Sequence, residues 1–149
     1  AKIVSYPSEK DELDLELALA YAEEQGADQI VMVGVMGGRM DMAIANIMLT
    51  TQASLSSYRI EIWHGRETGW GIRPPGKNIT GTPGDIVSLI PLGGDVSNIT
   101  TKGLKYPLTD ESLSFGQVRG VSNMMDKSSA DIKFIKGFLL VIHAPFSGE

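Results

Sequence analysis

The sequence contains no cysteine among its 149 residues, which excludes both disulfide bonds and thiolate metal sites. The fold must therefore be held together by packing. No apolar run approaches the roughly 20 residues that a helix needs to span a bilayer, so we expect no membrane partner. The first residues carry no signal-peptide pattern, and we expect a cytoplasmic location.

The chain also lacks an excess of basic residues. Thirteen Lys and Arg side chains stand against eighteen Asp and Glu, so the formal net charge is -5 at pH 7, and the basic residues form no cluster. Because nucleic-acid binding depends on a concentrated basic surface, we expect no nucleic-acid partner. His64 and His143 are far apart and lack the spacing of zinc ligands, so no zinc site is predicted.

The first third of the chain has the pattern of an α/β layer. The leucines of "DELDLELALAYAEE" fit both a strand and a helix, but Ser8 and Asp11 form a helix start signal and Gly26 a stop. We predict a helix from about Glu9 to Gln25. The run "QIVMVGV" predicts a buried parallel strand, and a helix from about Asp41 to Thr51 follows it.

So few elements make only part of a parallel sheet, which normally has more strands and is covered on both faces. The chain also opens at Ala1 directly into an extended pattern, without an initiator Met. We therefore expect that sequence upstream of this chain is missing.

The sequence pattern changes in the remaining part of the chain. Short apolar runs such as "YRIEIWH", "IVSLIPLG", "SFGQVRGVSN" and "DIKFIKGFLLVIHA" are broken by Gly, Pro, Asn and Asp. Their spacing of roughly 8 to 12 residues is typical of an antiparallel sandwich or barrel. The sequence predicts an α/β lobe over residues 1–54 and an antiparallel β-sandwich over residues 55–149.

A glycine-rich turn separates the predicted strand from the helix that follows it. Gly34, Gly37 and Gly38 leave backbone amides free to face an anion at the positive end of that helix, and Arg39 offers a fork for phosphate oxygens. The same residues also suit a plain strand-to-helix corner with Asp41 as the N-cap. The turn alone leaves both interpretations open, since it matches no complete nucleotide-binding motif.

Two further pairs of polar residues have a functional and a structural interpretation. Asp11 and Asp14 share a helix face and either hold Mg²⁺ on a nucleotide's phosphates or interact favourably with the helix dipole. Ser122 and Asn123 follow a predicted β-run and either close a turn or bind a ligand. Three aromatic residues either stack on a cationic heterocycle or anchor the packing: Trp63, Trp70 and Tyr106.

Taken together and in this order, several segments resemble the thiamine pyrophosphokinase family over nearly the whole chain. They are "YPSEKDELDLELAL", "GVMGGRMDMAIANI", "DIVSLIPLG", "GLKYPL", "GVSN" and "GFLLVI". The resemblance implies transfer of diphosphate from ATP to thiamine by a homodimer, with the active cleft between its subunits. It implies a partial Rossmann-like nucleotide lobe followed by the β-sandwich. The implied site residues are Asp11 and Asp14 for Mg²⁺ and catalysis, Gly37, Gly38, Arg39 and Asp41 for ATP, and Ser122 and Asn123 for thiamine.

Three departures from the family pattern affect this interpretation. Leu13 stands where the family usually has threonine, and Met42 stands where it usually has histidine. The acidic Gly-Asp-x-Asp-Ser segment of the family does not occur in this chain. We therefore expect a fragment of the complete enzyme. One alternative is a non-catalytic module that binds thiamine or thiamine diphosphate, and another is a structural dimerisation domain.

Overall fold

The structure is a computed structural model that describes residues 13–52 and 58–147. Neither helix of this part is long and apolar enough to cross a membrane. The elements are, in chain order, α1 (Asp14–Glu24), β1 (Gln29–Val33), α2 (Met40–Leu49), β2 (Arg59–His64), β3 (Glu67–Ile72), β4 (Gly76–Thr80), β5 (Ile86–Pro91), β6 (Val96–Lys102), β7 (Glu111–Leu113), β8 (Asn123–Met124), β9 (Ser129–Lys133) and β10 (Leu139–Ala144).

The first helix is shorter than the sequence predicts. Leu13 has extended backbone, with φ −68° and ψ 149°, so α1 begins at Asp14 and the predicted start at Glu9 is wrong. Ser8 and Asp11 lie outside the described residues. The predicted end is confirmed, because α1 stops at Glu24 and Gly26 then adopts φ +77°, a backbone conformation that suits glycine after a helix.

Two sheets organise the fold. The larger has six strands in the order β1-β2-β3-β10-β5-β8, and the smaller has four in the order β4-β9-β6-β7. Only β1 and β2 pair in parallel among the described strands, and the other pairs are antiparallel. This confirms the predicted class, a partial parallel α/β layer followed by a β-sandwich.

Strand β2 belongs to both layers. The sequence predicts it as part of the antiparallel layer, yet Ile60 pairs in parallel with Ile30 of β1, and on its other side Ile62 pairs antiparallel with Gly69 of β3. The large sheet therefore runs without interruption from the α/β layer into the sandwich. The division between residues 54 and 55 stays a prediction.

The two layers have separate hydrophobic cores. Between the sheets, side chains of β3 to β7, β9 and β10 pack together, with Val87, Val96, Ile99, Ile132 and Leu139 fully buried. On the other side, α1 and α2 pack on one face of β1 and β2. The buried residues of that second core are Leu19, Met32, Leu49, Ile60 and Ile62.

The arginine that follows β3 connects the end of α2 to the large sheet. Arg73 donates hydrogen bonds from Nη2 to the carbonyl oxygens of Thr51 at 2.7 Å and Gln52 at 3.3 Å. Its guanidinium carbon also lies 4.9 Å from the ring centroid of Phe138. That ring covers Gly71 of β3, where a Cβ would come within 2.3 Å of the Phe138 Cζ atom.

Candidate functional site

The glycine-rich turn lies between the carboxyl end of β1 and the first residue of α2. Gly34, Gly37 and Gly38 have φ values of +75°, +128° and +69°, which L side chains rarely adopt. A Cβ at any of the three would meet no atom within 4 Å, so backbone conformation and not crowding requires glycine. The turn thus directs the chain onto the amino end of a ten-residue helix, where free amides favour an anion.

A buried asparagine of α2 holds this turn. Asn46 is 7% exposed and donates from Nδ2 to the carbonyl oxygen of Val35 at 2.8 Å. Its Oδ1 atom is buried without a hydrogen-bond partner among the described residues. Sequence reasoning missed Asn46, although an amide side chain within the apolar run "AIANIML" was a signal for it.

Arg39 and Asp41 bind each other. The guanidinium donates from Nε to Oδ1 at 3.1 Å and from Nη2 to Oδ2 at 2.5 Å. The hydrogen bond and charge of Asp41 raise the pKa of Arg39. The bond from Arg39, joined by one from the Met42 amide, lowers the pKa of Asp41. Both side chains are exposed, and because exposed ion pairs are weak, a phosphate can compete for the guanidinium.

The N-cap of α2 differs from the structural interpretation of the sequence. Arg39 occupies the N-cap position with extended backbone and no side-chain cap, and Asp41 lies inside the first turn. The interpretation of Asp41 as the N-cap is therefore wrong. Its carboxylate still stands near the positive end of the helix, where an acidic residue is favourable.

An acidic residue in the first turn of α1 contacts the chain just after the C-terminal end of α2. Glu16, two residues after Asp14, accepts a hydrogen bond from Nε2 of Gln52 at 3.1 Å, and Gln52 follows the C-terminal end of α2. Within residues 13–52 and 58–147, no three His, Asp or Glu side chains converge as metal ligands. These side chains alone do not fit a Mg²⁺ ion. Asp11 lies outside this part, so its pairing with Asp14 stays a prediction.

The serine-asparagine pair lies where a turn meets a strand, with Ser122 in the turn and Asn123 at the start of β8. Residues 115–122 form turns and no strand, so the predicted preceding β-run is wrong. Ser122 has φ +58° and donates its amide to Oγ of Ser88 at 3.0 Å. The Asn123 side chain accepts from the amide of Tyr106 at 3.1 Å and donates to its carbonyl at 2.7 Å. Asn123 therefore fixes the main chain of Tyr106, whose side chain is exposed.

One chain does not bring these two regions together. The glycine turn follows β1 at one edge of the large sheet, and Asn123 opens β8 at the opposite edge. Five strand spacings of about 4.8 Å each separate the edges, a distance of about 24 Å. A ligand that contacts both regions therefore requires a second copy of the chain or a large molecule.

The second histidine is bound to a buried carboxylate. Nε2 of His143 lies 2.8 Å from Oδ2 of Asp85, which is 4% exposed. Burial by itself would raise the pKa of Asp85, but the amides of Phe146 and Thr82 and the His143 ring donate to the carboxylate and lower it overall. This geometry supports the structural interpretation of His143.

Comparison with known protein families gives two matches in chain order. Residues 1–63 match the family model described as the thiamin pyrophosphokinase catalytic domain. Residues 76–139 match the one described as the thiamin pyrophosphokinase vitamin B1 binding domain. The first match extends nine residues beyond the predicted boundary between residues 54 and 55, and that division stays a prediction.

Individual relatives agree with these matches. The thiamine pyrophosphokinase of Bacillus subtilis (strain 168) is 31% identical over 141 residues, which cover 93% of this chain and 65% of the relative. The chain thus spans slightly less than two thirds of that relative. The crystal structure of thiamine pyrophosphokinase from Bacillus subtilis has 30% identity and a TM-score of 0.86, over 95% of this chain and 67% of that one. The thiamin pyrophosphokinase structure from Geobacillus thermodenitrificans has 31% identity and a TM-score of 0.82, over 96% and 66%.

Proposed function

The chain belongs to the thiamin pyrophosphokinase family, and from that membership we propose that the protein transfers a diphosphate from ATP to thiamine. The observation that carries the proposal is the match of both family domains, in order, to residues 1–63 and 76–139. The primary hydroxyl of thiamine attacks the β-phosphorus of ATP. The bond from that phosphorus to the α,β-bridging oxygen breaks, AMP leaves, the hydroxyl proton is lost, and thiamine diphosphate forms. We propose that the protein acts in the cytoplasm.

ATP is proposed to bind at the glycine turn. Gly37 and Gly38 supply backbone amides at the start of α2, and Arg39 exchanges its bond to Asp41 for phosphate oxygens. Asp41 keeps the guanidinium oriented until the nucleotide arrives. Phosphoryl transfer depends mainly on positioning and charge stabilisation, which is what these residues offer.

Thiamine is proposed to bind at Ser122 and Asn123, and this assignment favours a homodimer. The distance of about 24 Å between the two edges of the large sheet is too long for one small molecule to bridge within a chain. In a symmetric dimer, the glycine turn of one copy can face the serine-asparagine pair of the other. Each dimer then has two equivalent composite sites.

Mg²⁺ with Asp11 and Asp14 stays a proposal that needs additional ligands. The described acidic side chains form no metal site by themselves, so oxygen ligands must come from outside that part of the chain or from the nucleotide. When bound, the ion would screen the charge of the phosphates.

Activity is tested by incubating the protein with thiamine and Mg-ATP and separating the products by chromatography. We expect AMP and thiamine diphosphate in equal amounts. Calorimetry with thiamine runs in parallel. Thiamine binding without turnover would instead support the non-catalytic module, and the absence of both would contradict the proposal.

The ATP assignment is tested with Arg39→Ala. Loss of a charged hydrogen-bonding fork should raise the KM for ATP about tenfold or more, with the KM for thiamine unchanged. Arg66→Ala is the matched control, because Arg66 is also exposed and lies in the β2–β3 turn. Equal ATP kinetics for both variants would remove Arg39 from the nucleotide site.

The composite site is tested by mixing two variants. Arg39→Ala and Asn123→Ala each damage both sites of their own dimer, but a mixed dimer contains one intact site. After subunit exchange, about a quarter of the wild-type activity should return, since half of the dimers are mixed and half of their sites are intact. No recovery in mixed dimers would show that both residues serve a site within one chain.

A further inference from the structure

A cleft of about 380 Å³ lies between β2 of the large sheet and β4 of the small one. It arises because the four-stranded sheet covers only part of the six-stranded sheet, and β4 is its edge strand. Beyond that edge, β2 lines the cleft with Arg59, Glu61 and Trp63. The cleft shares no residue with the glycine turn or with the serine-asparagine pair.

The strand pattern of β2 determines what faces this cleft. Alternate residues of a strand point to opposite faces, and Ile60 and Ile62 point to the helices. Arg59, Glu61 and Trp63 therefore lie on the opposite face, toward the cleft. Their neighbour Trp70 on β3 is paired with Glu61 and lies on the same face.

A buried carboxylate fixes the floor of the cleft. Glu61 is 5% exposed, and its Oε1 accepts a hydrogen bond from Nε of Arg59 at 2.7 Å and lies 2.6 Å from Nη2 in the same ion pair. Its Oε2 accepts from the indole Nε1 of Trp63 at 2.9 Å. Although Trp63 is 49% exposed, its ring is thus held in one orientation. Such an exposed and fixed indole is suited to stacking on a planar ring.

The charges of the cleft favour an anion. The charge of Glu61 is already balanced within the chain by its ion pair with Arg59. Arg59 donates one of its five N–H groups to Glu61 in a hydrogen bond and places Nη2 beside the same oxygen. Lys77, on the edge strand β4, is exposed and has no carboxylate partner within the described chain.

We propose that this cleft binds a planar aromatic anion, with its ring stacked on Trp63 and its negative group at Lys77. The class includes aryl phosphates, aryl carboxylates and nucleotides. The volume is within the range of small-molecule sites. The inference is independent of the proposed activity, because it uses none of the residues assigned to it.

The chain offers a direct probe of this site. It has two tryptophans in all, Trp63 and Trp70, and both line the cleft, so intrinsic tryptophan fluorescence reports on it selectively. The protein is titrated with phenyl phosphate, and separately with inorganic phosphate, benzyl alcohol and phenyltrimethylammonium. Excitation is set where these compounds do not absorb.

We expect a saturable change with phenyl phosphate, with a dissociation constant in the millimolar range or below. Inorganic phosphate and benzyl alcohol should bind at least fivefold more weakly. Lys77→Gln should weaken phenyl phosphate binding about fivefold, and Trp63→Leu, read through Trp70, about tenfold. Lys127→Gln, which changes an exposed lysine outside the cleft, should bind as wild type.

Three results would overturn the proposal. The first is no saturable change with phenyl phosphate up to its solubility. The second is tighter binding of phenyltrimethylammonium than of phenyl phosphate. The third is equal affinity of the Lys77→Gln and Lys127→Gln variants, both of which change exposed side chains and should keep the fold.

Discussion

Replacing Asp85 by asparagine tests whether this carboxylate holds one end of the sandwich. Its Oδ2 accepts from the amide of Thr82 at 2.8 Å and lies 2.8 Å from Nε2 of His143, and its Oδ1 accepts from the amide of Phe146 at 2.8 Å. Asparagine has nearly the same shape but replaces one acceptor oxygen by a donor. In the better of its two orientations, the new NH₂ group faces the Phe146 amide.

The expected cost follows from those three contacts. One amide donor, that of Phe146, loses its acceptor, which costs about 1–3 kcal/mol when the group is buried. The two other bonds lose their charge assistance, about 1 kcal/mol each. The Asp85→Asn protein should therefore be less stable by about 3–5 kcal/mol. For a chain of this size, its Tm should be lower by about 6–20 °C.

The effect should depend on pH in one direction. The hydrogen bonds lower the pKa of Asp85 in the folded protein relative to about 3.9 in the unfolded chain. A lowered pKa stabilises the fold fully above the unfolded value, and this contribution is lost as the pH falls through the folded value. The stability difference between wild type and Asp85→Asn should thus be constant above about pH 5 and shrink in more acidic solution.

Urea unfolding followed by circular dichroism measures both the loss of stability in Asp85→Asn and the dependence of that loss on pH. The matched control is Asp126→Asn, because Asp126 is exposed and should change the unfolding free energy by less than about 0.5 kcal/mol. Equal losses for the two variants at pH 7 would refute the assigned role of the Asp85 hydrogen bonds. A stability difference that grows on acidification would refute the sign of the pKa shift.

Two other substitutions have sharp expectations. Gly71→Ala should lower the unfolding free energy by about 1–3 kcal/mol, because its Cβ would collide with the ring of Phe138. The control Gly69→Ala should leave the unfolding free energy unchanged or slightly higher, since the nearest atom lies 3.8 Å away. Equal urea midpoints for the two variants would contradict this. Asn46→Ala should speed hydrogen exchange in residues 34–38, because the hydrogen bond to the Val35 carbonyl is lost. The loss of stability should be no more than about 2 kcal/mol, because the unpaired Oδ1 atom is also removed. Unchanged exchange in a natively folded sample would contradict the positioning role of Asn46.

Local signals made much of the fold predictable. Gly26 ends α1 and the glycines after β1 adopt positive φ values, because backbone freedom is a property of the residue itself. The apolar run that includes Ile30 and Met32 forms a parallel strand as predicted, since its β-branched composition suits a sheet. The prediction that this strand is buried is wrong, because Val31 and Val33 on its other face are 38% and 70% exposed. The resemblance to the thiamin pyrophosphokinase family is likewise confirmed from the order of short motifs.

The start of α1 and the strand expected before Ser122 were not predictable in this way. A Ser-x-x-Asp pattern identifies a capping signal but not whether the backbone at Leu13 stays helical. The run "SFGQVRGV" has a strand-like composition, yet turns form there, and the Ser122 amide that follows them binds Ser88, a residue 34 positions away.

For the candidate site, too, the sequence and the tertiary structure determine different properties. Sequence by itself determined which residues are candidates for the site, because the chemistry of Arg39, Asp41 and Asn123 is carried by their side chains. Only the tertiary structure decided what each one contacts: Arg39 is paired with Asp41, and Asn123 holds Tyr106. The sheet order decided their positions, because hydrogen bonds between strands distant in sequence put β1 and β8 on opposite edges of the large sheet.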